Sequence, residues 1–134
     1  MNFAARATHI QHIECPGGHV RVYWIETPPL FVVEAFGYIG PTILREVLAL
    51  AETYGRAHPD GWDYLVDPRR VRFAHPLNLV WFHKIHGLPN LRRYLALAPA
   101  SAILRLLAFA TTRLTGPDML VHSPEDLTRL YDLS

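Results

Sequence analysis

The chain has 134 residues, 50% of them apolar and 19% charged, and a single core of this length buries about two-thirds of the unfolded surface without disulfides or metals. Its 13 Lys and Arg nearly cancel its 12 Asp and Glu, leaving a formal net charge of +1. That balance excludes the basic footprint of a nucleic-acid binder and, together with the apolar content, a disordered chain.

Cys15 is the one cysteine and cannot form an internal disulfide, which fits a reducing compartment. Residues 1–10 are polar and carry no apolar signal segment. The longest apolar stretch, residues 94–114, is broken by Pro99 and Arg105, short of the ~20 uninterrupted residues of a membrane span. A cytoplasmic protein with no transmembrane segment is expected.

In chain order, residues 1–18 read as a lead-in broken by Pro16, Gly17 and Gly18, and residues 19–134 as a single domain. Residues 19–26 alternate as a strand should, with Val20, Val22 and Trp24 against Arg21 and Tyr23. Residues 30–38 are a second strand, and the two are expected to form a hairpin. Pro41 after Gly40 opens a helix whose Ile43, Leu44, Val47, Leu48, Ala51 and Tyr54 recur at helical spacing, with Gly55 as its stop. Residues 63–67 are a short buried strand ended by Pro68.

Residues 69–74 read as irregular. His75-Pro76 then opens a second helix with Gly87 beyond its end, and residues 94–98 form a strand. Ser101 heads a third helix running to Leu114, and residues 119–122 are the last strand. Ser123-Pro124-Glu125-Asp126 then starts the final helix, with Ser as cap, Pro in the first turn and acids at the positive dipole end. A hairpin followed by strict helix–strand alternation is an α/β fold with a mixed, mainly parallel sheet.

This order, the acidic residue closing the third strand (Asp67), the helix opening after it (Pro76) and the strand–Ser–helix ending (residues 121–130) resemble the STAS domain of sulfate transporters and anti-sigma-factor antagonists. The similarity covers residues 20–133 and is greatest to the small stand-alone bacterial subgroup related to the sporulation anti-anti-sigma factor. The resemblance implies a protein-binding module. In the antagonists a Ser or Thr near the start of the helix after the third strand is phosphorylated, and the added charge blocks the partner. Residues 67–100 contain neither Ser nor Thr, so the phosphoswitch is not expected here.

Four candidate sites stand out. The segment from Asp67 to Asn78 carries Arg69, Arg70, Arg72 and His75 beside the helix start at Pro76, with Trp81 further along that helix. Ligands of open α/β sheets bind beyond the carboxyl ends of parallel strands, and helix starts attract anions. The segment is either an anion or acidic-partner site or a solvated loop whose arginines pair with Asp60, Asp63 or Asp67. Among the eight histidines, His83 and His86 are spaced for one helix face, and His9, His12, Cys15 and His19 form a second group. Both are weak metal candidates, since further ligands are missing from the helix and the second group has no finger context.

Glu34 and Glu46 lie in apolar settings; a raised pKa would suit a general acid, while a partner such as Arg21 across the hairpin would make Glu34 structural. Finally, Ile103, Leu104, Leu106, Leu107 and Phe109 surround a lone Arg105, more apolar surface than one core face needs. No nucleotide-binding or hydrolase motif occurs, and no cofactor is expected. The expected function is a non-catalytic STAS-like interaction module that binds a protein partner or, as a homodimer, itself. The alternative is a pocket protein for an apolar or anionic small ligand, an enzyme if His75 works as acid/base beside an arginine.

Overall fold

The computed structural model describes residues 2–75, 78–97 and 118–131. Among these residues six strands form one sheet in simple chain order: β1 (Ala7–Cys15), β2 (Gly18–Ile25), β3 (Leu30–Ile39), β4 (Trp62–Ala74), β5 (Leu91–Leu97) and β6 (Met119–Val121). The first three are antiparallel neighbours, and β3 through β6 run parallel. The described helices are α1 (Phe3–Arg6), α2 (Pro41–Arg56), α3 (Asn78–Ile85) and α4 (Pro124–Leu130). The fold is therefore α/β with a mixed sheet.

Because strand side chains alternate between faces, the sheet feeds two cores. On one face α2 and α3 lay Ile43, Val47, Ala51, Tyr54 and Ile85 over Val22, Phe31, Val33, Trp62 and Tyr64. On the other, Leu127 of α4 and Phe3 of α1 pack against Tyr23, Leu30, Val32, Leu65, Leu95 and Leu97. The buried stripe of α2 is the one its spacing predicts, and Pro41 sits in its first turn. The Ser123 side chain caps α4 by accepting from the Asp126 N–H at 3.2 Å, with Glu125 and Asp126 in the first turn as expected.

The expected lead-in is corrected in the structure. Residues 7–15 form an edge strand joined to β2 by a Pro16-Gly17 turn, with Cys15 opposite Gly18. Gly17 has φ 84°, the left-handed geometry of the second turn position after proline. Gly18 lets β3 approach, since a Cβ there would lie 2.0 Å from the Tyr38 carbonyl oxygen. The Tyr38 N–H donates to the Gly17 carbonyl at 3.0 Å.

The second correction is β4. It does not stop at Pro68 but runs for 13 residues to Ala74. From Glu34–Asp67 to Phe36–Arg70, β3 advances two residues and β4 three. That bulge absorbs the proline, which has no N–H for the ladder. The segment expected as a loop is thus a strand extension as far as Ala74. α2 passes Gly55 to end at Arg56, β5 begins at Leu91, and α3 starts at Asn78, after His75. The expected third helix, with Ser101 and Arg105, lies outside the described residues, as does Pro76. No helix among the described residues is long and apolar enough to cross a membrane.

Candidate binding groove

The polar part of the second sheet face lies beyond the apolar core, where β4 continues past the bulge. Asp67, 2% exposed, accepts from Arg69 Nε and Nη2, both at 2.9 Å, and from the Arg69 backbone N–H at 3.1 Å. A carboxylate held through three such bonds is a stable anchor, and the pairing raises the Arg69 guanidinium above its already high ordinary value. The anchor fixes the chain just where the bulge releases it, and Arg70 and Arg72 follow on an exposed strand end.

Beside them the β1–β2 turn and the end of β3 complete an open groove of about 790 Å³. Its lining joins Arg69, Arg70 and Arg72 to Glu14, His19 and Phe36. His19 stacks on Phe36 with ring centres 4.5 Å apart and planes 8° from parallel. The Arg70 guanidinium lies 5.5 Å from the Phe36 ring centre and that of Arg21 5.8 Å, within cation–π range. Among the described residues neither Arg70 nor Arg72 has a carboxylate partner, and Glu14 is the only acid in the lining. The groove wall is therefore cationic despite the neutral chain.

Behind the wall, Glu34 lies directly opposite Arg21 in the hairpin. Arg21 donates to the Tyr23 hydroxyl at 3.3 Å, and burial, followed by the Glu34 carboxylate, pushes that hydroxyl above its ordinary value. Glu34 thus lies beside Arg21 and Tyr23 on the β2–β3 surface. Glu46 is exposed on α2, not apolar in setting as expected.

The segment's remaining candidates fall elsewhere. His75 is half-buried, donates its backbone N–H to the Ile39 carbonyl at 3.1 Å, and lies outside the groove lining, as does Trp81, while the Asn78 side chain is outside the described residues. Trp81 carries the Lys84 ammonium 4.4 Å over its ring. His86 follows the end of α3, so it does not share a helix face with His83, and its ring lies 4.0 Å from Asp118. Strand alternation separates the other histidine group: His9 packs on Trp24 on one face, while His12 and His19 project from the other. No set of three His, Cys, Asp or Glu side chains gathers as metal ligands among the described residues.

Sequence reasoning missed Glu14, Phe36 and His19 as companions of the arginines. The available signal was the Pro16-Gly17 pair, which marks a turn between two strands. It also missed a buried cluster in which Asp63, fully buried, accepts from Arg93 at 2.8 and 3.3 Å and from the Tyr131 hydroxyl at 2.5 Å. Neither protein-family models nor curated proteins match this chain.

Proposed function

We propose that this chain is a non-catalytic, STAS-like interaction module that takes an acidic segment of a partner protein in the groove beside β4. One observation carries the reading: Arg70 and Arg72, with no carboxylate partner among the described residues, stand beside an arginine already pinned by Asp67. The Asp67 pairing satisfies Arg69 and leaves its two neighbours to an outside anion. The open form of the groove suits a chain segment lying across it. Without a Ser or Thr in residues 67–100, control by phosphorylation at the antagonist position has no acceptor.

A small anionic ligand is the second reading. The groove volume falls within the ~300–1,000 Å³ range of ligand sites. His75, the acid/base candidate for an enzyme, lies outside the lining, which ranks this reading below the first.

The test is titration of the labelled protein with an oligoglutamate peptide, followed by amide chemical shifts. Shifts confined to Gly17, Gly18 and residues 69–72, weakened by salt and lost in Arg70→Glu/Arg72→Glu, support the module. An equal response to an oligoglutamine peptide refutes it.

A further inference from the structure

We propose that the outer edge of β1 docks a second copy of this chain, antiparallel, about a twofold axis through Gln11. The observation is separate from the groove and concerns the two ends of the sheet. Among the described residues one edge is β6, three residues long. The other is β1, nine residues, and among the described residues nothing pairs with its outer side.

The register says which groups that edge offers. A two-residue turn makes Cys15 and Gly18 the pair that exchanges both hydrogen bonds. Alternation then points the N–H and C=O of Gln11 and Ile13 toward β2, and those of Ile10, His12 and Glu14 outward. The complementary surface must be another extended strand. Edges are ordinarily guarded by Lys, Pro or an inward charge. Between the bulge at Ala7/His9 and the end of the strand, β1 holds none of these, and Ile10 is 42% exposed there.

Charge and symmetry select a second copy over a foreign strand. With Gln11 opposite its own mate, each Ile10 faces His12 of the other copy, and outward groups meet outward groups throughout. The one carboxylate side chain of the strand, Glu14, then lies at opposite ends of the pair, across from Thr8, so like charges do not meet. A twofold closes on itself, and the short β6 edges left outside offer little for further growth.

Sedimentation velocity of the full chain over a concentration series, with amide exchange at its two extremes, tests this. The expected result is a reversible dimer, with the amides of Ile10, His12 and Glu14 gaining protection as concentration rises while Gln11 and Ile13 stay protected throughout. Ile10→Lys/His12→Lys places lysine opposite lysine across the axis and weakens the dimer at least about tenfold. Both side chains are exposed, so the melting temperature of the monomer is unchanged. A monomer at every concentration overturns the proposal. So does a dimer that the lysines leave intact, or exchange protection that never rises at the three outward amides. Arg70→Glu/Arg72→Glu leaves the dimer untouched, so the groove and the edge fail independently.

Discussion

Asp63 and Asp67 stand four residues apart on β4, project to the same sheet face, and are both buried, yet they serve opposite ends. Asp63 collects partners from far along the chain: Arg93 of β5 at 2.8 Å, Arg92 at 3.6 Å, and Tyr131 at the end of α4. It ties three elements together. Among the described residues Asp67 binds only Arg69, two residues on, and so stiffens its own strand at the bulge. A buried charge linked to distant elements stabilises the fold. One linked to its neighbour shapes a rim and leaves the adjacent arginines to the outside.

The largest effect is expected from Asp63→Ala, which strands Arg93 and cuts α4 loose from the sheet. About 3 kcal/mol is lost, the low end for a broken buried pair because Arg93 can turn to solvent; urea unfolding measures it. Next comes alkaline pH. Burial, then the hydrogen bond to Asp63, raises the Tyr131 hydroxyl well above its usual value. The native state holds that proton more tightly than the unfolded chain, so this contribution is complete below about pH 10 and fades as pH climbs toward the folded value. Unfolding midpoints that fall above that pH in the wild type, with a shallower fall in Tyr131→Phe, locate the loss at Asp63. The Asp67–Arg69 pair contributes nothing to that slope, since arginine keeps its charge.

At neutral pH, Tyr131→Phe itself costs about 1–2 kcal/mol, because a buried carboxylate loses one donor. Asp67→Asn is smaller, about 1 kcal/mol, since Arg69 is a third exposed, but it frees Arg69 and so disturbs the amide shifts of the groove. Arg70→Glu/Arg72→Glu changes stability by no more than about 0.5 kcal/mol while abolishing oligoglutamate binding. A stability loss matching that of Asp63→Ala would show that the two ends of β4 do not differ as described.

Several elements were legible because their signals are short-range. The α2 stripe of Ile43, Val47, Ala51 and Tyr54 follows helical spacing, and the Ser123-Pro124 start of α4 is a cap that needs no distant partner. β2 and β3 alternate or run apolar because both of their faces are covered. β1 was illegible for the converse reason: as an edge strand it buries only Ile13, so no apolar rhythm marks it. β4 was shortened because Pro68 normally ends a strand, and only the pairing with β3 reveals the bulge that accommodates it. Of the site, the arginine cluster after Asp67 was visible in the chain, whereas Glu14, His19 and Phe36 reach it through strand register.

The division follows the range of the forces. Helix spacing, caps and turn chemistry act within a few residues, so the chain alone settles α2, α4 and the β2–β3 hairpin. Which arginine pairs with which aspartate depends on register and on which face a strand turns inward. Those are set by burying both faces of the sheet at once, a condition that spans the whole molecule. Asp63 and Tyr131 meet across 68 residues, and His19 meets Phe36 across the hairpin; neither contact leaves a local trace. A nearly neutral composition therefore coexists with a cationic groove, because folding joins Asp67 to Arg69 and leaves Arg70 and Arg72 facing outward.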